Sequence, residues 1–267
     1  MTGALATALG RERAVVGAAL FAVVALAWIY LMWVAGMNAP AMSGMDMGGA
    51  SPMAPHFAPW TAAHGLFIFA MWSAMMIGMM TPSAAPMVLM YARVGRRGQA
   101  EGKVFAATGW FAAGYFLVWV VFSLAATIVQ WTVERAALLD ARMATGSNMF
   151  AAAVLIAAGA YQWTPLKDVC LVQCQSPLGF VMRHGGFRGD IRGCLLLGVR
   201  HGAYCVGCCW VLMALLFVGG VMNVLWIALL SLLVLLEKLT PFGRWVVRAA
   251  GIVFLAAGAW LLFYGMA

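Results

Sequence analysis

Apolar runs long enough to cross a bilayer recur along this chain and leave little polar sequence between them. They fall near residues 14–36, 64–91, 105–131, 148–163, 194–219, 223–237 and 246–265, and a spanning helix needs about 20 residues. The chain is 65% hydrophobic and 9% charged, whereas soluble domains carry about 25% charged residues. Such a chain has no means of coating a water-facing surface. The expectation is an all-α, polytopic helical membrane protein of about seven transmembrane helices. The fourth and sixth runs are the shortest, and Pro82 and Pro86 are expected to break the second.

The net charge of +8 follows from topology, because cytoplasmic loops of membrane proteins accumulate Lys and Arg. A cytoplasmic N-terminus puts Arg11, Arg13, Arg93, Arg96, Arg97, Lys103, Lys167, Arg183, Arg188, Arg192, Lys238, Arg244 and Arg248 inside. Only Arg135 and Arg142 then lie outside, offset by Glu134 and Asp140. No basic stripe interleaved with aromatics is present, so nucleic acid is excluded as a partner and the lipid bilayer takes its place.

Three regions follow. Residues 1–36 form an N-terminal signal anchor, whose apolar core of about 22 residues exceeds the 7–15 of a cleaved signal. Residues 37–63 form a Met-rich, flexible outer loop, with a composition too poor to bury a core. Residues 64–267 form a six-span membrane domain with an inner Cys-containing loop at 164–193.

The chemistry concentrates in VRHGAYCVGCCWVLM at 199–213. On a helix, Cys205, Cys208 and Cys209 fall at about 40°, −20° and 80° from His201, within one stripe of about 100°. Cys194 projects onto the same face. Thiols with imidazole suit Cu(I) or Zn(II). A rise of 1.5 Å per residue puts His201 about 10 Å and Cys208 about 21 Å beyond Cys194, in mid-membrane. The second run supplies a facing stripe: His64, Met71, Met75 and Met79, with Met76 and Met80 adjoining. Met75 and Met76 lie about 17 Å from His64 by the same rise. Thioethers prefer Cu(I), although methionine also fills gaps in ordinary cores. Met42, Met45, Asp46, Met47, Met53 and His56 add an outer collector. Cys170 and Cys174, four apart, share a face if helical and are expected to pass an ion to or from the span. None of the six cysteines lies in an outer loop, which disfavours a disulfide framework. Glu237 and Lys238 read as a snorkelling pair.

Three stretches, MWSAMMIGMMTPSAAP at 71–86, LKDVCLVQCQSPLGF at 166–180 and HGAYCVGCCWVLMALLFVGGVMNVLW at 201–226 running into EKLTP at 237–241, carry a family likeness. The chain resembles the domain-of-unknown-function 2182 family of predicted metal-binding integral membrane proteins, from about residue 64 to residue 260. The resemblance implies metal binding and an inner-membrane location, and supplies no reaction.

The residues therefore point to a membrane protein that collects, relays or transports Cu(I), with zinc the alternative ion. It would exchange metal with a donor or acceptor protein, and its glycines permit oligomer packing. A copper-dependent membrane oxidase or monooxygenase, or an accessory subunit of one, is the second reading. It wants a further histidine in the spans, and only His64 at the edge is available. A thiol–quinone oxidoreductase built on Cys205 and Cys208 lacks a second cysteine pair of matching spacing.

Overall fold

The computed structural model describes residues 2–38, 60–97, 104–136 and 144–264, and these fold as helices joined by short turns. In chain order the helices are α1 (Thr2–Asn38), α2 (Ala62–Arg97), α3 (Val104–Arg135), α4 (Asn148–Tyr161) and α5 (Pro165–Gln175). They continue as α6 (Pro177–Arg183), α7 (Ile191–Ala214), α8 (Leu216–Gly219), α9 (Val224–Leu239) and α10 (Gly243–Tyr264). The collector residues Met42, Met45, Asp46, Met47, Met53 and His56 lie outside the described residues.

Five of the seven apolar runs become helices long and apolar enough to cross a membrane, in α1, α2, α3, α7 with α8, and α10. The chain is a multi-pass membrane protein. The two shortest runs behave differently. The run at 148–163 forms α4, which joins α5 at a bend of 66°, a broken span or a re-entrant loop. The run at 223–237 forms α9, only 16 residues long.

Local chemistry sets these breaks. Ser147, Thr164, Asp190 and Asn223 each turn a side-chain oxygen onto the backbone N–H three residues on, capping α4, α5, α7 and α9. These caps satisfy donors that the first turn leaves without partners. Pro165 and Pro177 open α5 and α6, where a missing N–H costs nothing. Much of the stretch read as an inner loop at 164–193 is thus helical. Gly185 (φ 93°) and Gly186 (φ 75°) make the turn that brings α7 back into the bundle.

Pro82 and Pro86 do not break the second span: α2 runs continuously through both. Each proline removes one backbone bond, to the carbonyls of Gly78 and Pro82, and the carbonyls next in line take side-chain donors from neighbouring residues. The Met79 carbonyl accepts from Ser231 Oγ at 3.4 Å, and the Met80 carbonyl accepts from Ser83 Oγ at 2.9 Å and Tyr115 Oη at 3.3 Å.

The closest helix crossing is between α3 and α7. A Cβ on Gly198 would overlap the Phe111 carbonyl, and one on Gly114 would overlap the Leu195 carbonyl. Gly202 faces Val118, and Gly207 faces the Cys170 sulfur. Glycines that suggested oligomer contacts are used within the chain, where small residues let backbones touch. This crossing fixes the height of α7, and hence of its cysteines, against α3.

A buried ion pair holds α5 in place. Lys167 Nζ lies 2.8 Å from Glu237 Oε2, with both side chains at or below 1% exposure. Gln162 Nε2 donates to Glu237 Oε1 at 2.9 Å, and Gln175 Nε2 donates to the Glu237 carbonyl at 2.7 Å. Residues near both ends of α5 are therefore tied to one residue of α9.

Two outcomes follow for thermal unfolding in detergent. Lys167→Met leaves a buried carboxylate unpaired and is expected to destabilise by about 3–5 kcal/mol. The double variant Lys167→Met/Glu237→Leu should recover most of that loss, and a double variant no more stable than the single one would contradict the pairing. Gly198→Val should cost at least the ~1–3 kcal/mol of an overpacked site, because it strikes backbone rather than a movable side chain. An unchanged midpoint for Gly198→Val would refute the crossing.

Candidate metal centre

Sulfur from three helices meets in the core. On α7, His201, Cys205, Cys208 and Cys209 are buried on one face, as the helical stripe requires. Both Cys208 and Cys209 thiols donate back to the Cys205 carbonyl, at 3.1 and 3.0 Å. Cys174 faces them from α5, beside Cys205 and Cys208 in the same buried core. Cys170, one turn earlier on α5, packs where Gly207 has no side chain. These two cysteines do share a helical face, and that face is buried against α7 rather than turned towards a loop.

On α2, Met71, Met75, Met76, Met79 and Met80 are all buried and belong to the same contiguous core as the cysteines of α5 and α7. Met80 comes nearest the charged part of the cluster, with its Sδ 4.0 Å from Lys238 Nζ. His64 stands apart. It sits in the first turn of α2, edge-on to Trp60 at 5.2 Å, and about 24 Å of helix separates it from Met80. Cys194 is separate too, within a second cluster, where Tyr91 Oη donates to its sulfur at 3.4 Å and its thiol donates to the Arg188 carbonyl at 3.0 Å. The exposed Arg200 takes no part.

Two residues absent from the sequence reading of the site complete it. Lys238 Nζ lies 3.0 Å from Cys205 Sγ, 3.9 Å from Cys209 Sγ and 3.4 Å from Ser83 Oγ. Tyr115 Oη lies 3.1 Å from Cys205 Sγ. Its single proton goes to the Met80 carbonyl at 3.3 Å, so the contact with Cys205 uses the thiol as donor.

The snorkelling pair Glu237–Lys238 is corrected here. Consecutive helix residues point about 100° apart and do not face each other. Glu237 turns to Lys167 on α5, and Lys238 turns to the sulfur cluster between α2 and α7. That spacing was the signal available in the sequence. Two adjacent charges in an apolar helix cannot pair with each other, so each needs a partner elsewhere.

His201 lies among rings, 5.1 Å from Phe180, 5.6 Å from Tyr115 and 6.1 Å from Phe111. Its Nδ1 is buried without a hydrogen-bond partner, a costly state for a polar atom. His184 packs on the other side of Phe180 at 4.3 Å.

The donor set, thiols with a thioether and an imidazole whose Nδ1 is free, suits a soft cation. As the thiols stand, Cys208 and Cys209 bond to the Cys205 carbonyl, and Lys238 donates to Cys205. Among the described residues, no group of three or more His, Cys, Asp or Glu side chains is arranged to hold a metal ion. Loading would exchange existing hydrogen bonds for sulfur–metal bonds.

No curated protein and no solved structure matches this chain. The family model of the PpoB2 copper chaperones matches residues 69–261, a stretch that holds every cysteine described above and all of the buried methionines on α2. This multi-pass membrane protein belongs to the PpoB2 copper chaperone family.

Proposed function

We propose that the protein holds Cu(I) between α5 and α7 as cargo. The holding residues are Cys174, Cys205, Cys208 and Cys209, with His201, Cys170 and Met80 at the margin. It passes the ion to a copper-accepting protein. The observation that carries this reading is the meeting of Cys174 with Cys205 and Cys208 across two helices in a water-poor core. A chaperone must bind without trapping, and thiols supplied by two separate helices meet that need. Movement of α5 against α7 changes the number of sulfurs within reach without unfolding either helix.

Met71, Met75, Met76 and Met79 extend the sulfur surface from the cluster towards the α2 end that carries His64. Neutral thioethers bind Cu(I) weakly, so a ladder of them lets an ion leave each position, the logic of multi-site conduction. The charge bias of the loops supports a cytoplasmic N-terminus, and the chain then sits in the cell's inner membrane with the His64 end outside. Zinc fits this ladder poorly, since structural zinc sites draw on thiolate, imidazole and carboxylate.

The test is metal content of the detergent-purified protein, expressed with copper and zinc both supplied. The parent should carry close to one copper per chain. Cys205→Ser/Cys208→Ser/Cys209→Ser should carry none, while Cys174→Ser should retain copper with weakened affinity. Equal copper in the triple variant and the parent would overturn the assignment of the site.

A further inference from the structure

Lys238 is buried at 3% exposure, and its hydrogen-bond partners among the described residues are sulfur and one hydroxyl. Cys205 Sγ lies at 3.0 Å, Ser83 Oγ at 3.4 Å, Cys209 Sγ at 3.9 Å and Met80 Sδ at 4.0 Å. The neighbouring carboxylate, Glu237, is already neutralised by Lys167 on another face of α9. A positive charge thus stands against the thiols, and among the described residues no carboxylate balances it, in a setting where charges are weakly screened.

We propose that Lys238 is a specificity-determining residue: its ammonium is the built-in counter-charge that makes a two-thiolate site electrically neutral with a monovalent soft cation and positively charged with a divalent one. This rests on the proposed holding of Cu(I) at the cluster and goes beyond it by assigning what selects the ion's charge. The count is simple. Binding one Cu(I) breaks two S–H bonds, forms two S–Cu bonds and sends two protons to water, with no change in the oxidation state of copper or sulfur. Two thiolates, one ammonium and one monovalent ion sum to zero. A divalent ion held linearly by the same two thiolates leaves the site as positive as it is when empty, and so gains none of the neutralisation that a monovalent ion brings. Arrangement matters as much as count, because Lys238 approaches the cluster from the α9 side. It can remain beside the sulfurs of a loaded site and lean on Ser83 and Met80.

Cu(I) and Hg(II) test this, since both are soft ions that two thiolates hold in linear geometry, and they differ by one charge. Competition titrations on the purified full chain would give both affinities for the parent, Lys238→Met, Lys238→Arg and Ser83→Asp. Removing a charge at this distance in a poorly screened core should lower the preference for Cu(I) over Hg(II) by at least ~tenfold in Lys238→Met. Lys238→Arg should restore the parental preference, which a merely space-filling role for the lysine would not require. Ser83→Asp keeps the lysine and neutralises it from the other side, so the preference should fall in the same direction. That variant also decides the question should Lys238→Met fail to fold. A Cu(I)-to-Hg(II) preference unchanged in Lys238→Met, or in Ser83→Asp where only that variant folds, overturns the role given to Lys238 and leaves the copper site standing. A parent that binds no Cu(I) overturns both.

Discussion

Lys238 carries a charge into a core where its partners are two thiols, a thioether and a hydroxyl. Burying an ion is expensive unless something compensates it, and the chain handles its two adjacent charges in opposite ways. The Glu237 carboxylate receives Lys167 and Gln162, which leaves its charge answered. Lys238 receives only sulfur and oxygen lone pairs. Much of the core's architecture follows from that difference. α9 must end where its last turn can send one residue to α5 and the next to the space between α2 and α7. α5 must lie flat enough against α7 for Lys167 to reach Glu237 while Cys174 reaches Cys205. The bend of 66° between α4 and α5 makes that placement, and a straight span through the same residues would not.

The α3–α7 crossing supplies the second constraint. Gly114 and Gly198 let the two backbones touch, so α7 cannot slide relative to α3 without backbone overlap. Tyr115, the residue after Gly114, is thereby held at the level of Cys205 and bridges it to the Met80 carbonyl. Carbonyls just before Pro82 belong to the same device. The Met79 and Met80 carbonyls accept from Ser231 on α9 and Tyr115 on α3, which pin α2 beside the cluster.

How much of this was legible in the sequence depended on the range of the information. Membrane character, the helical class and the cysteine stripe of α7 are local properties, set by composition and a period of 3.6 residues, and the structure has them all. Span length was legible as well, since the two shortest runs are the ones that fall below a full crossing. The proline breaks were misjudged because a missing backbone bond is visible in sequence and the packing that keeps α2 continuous between its neighbours is not. The same holds for Cys170 and Cys174. Their spacing showed a shared face, while the burial of that face depends on a bend and an ion pair formed 70 residues apart. Lys238 was read as half of a surface pair because its neighbour in sequence carries the opposite charge. Helix geometry alone was enough to reject that pairing, and its true partners lie 33 and 155 residues away.

A family of copper chaperones sets a thermodynamic demand that the geometry of the cluster helps to meet. An empty site with open, preorganised thiolates would bind a soft cation as tightly as its chemistry allows, and handing the ion on would then be slow. Here the empty arrangement is already satisfied: thiols bond to the Cys205 carbonyl and accept from Lys238. Every one of those bonds broken on loading subtracts from the net affinity, since a ligand gains only the difference between the two states. On the proposed reading this subtraction is useful. Cargo leaves a site that has its own closed, hydrogen-bonded form to return to, and thiols restored to their carbonyl and to Lys238 are no longer available to recapture it. The two roles of the lysine then work at different moments. Beside a loaded site it answers the charge of the thiolates, and beside an empty one it holds the sulfurs until the next ion arrives.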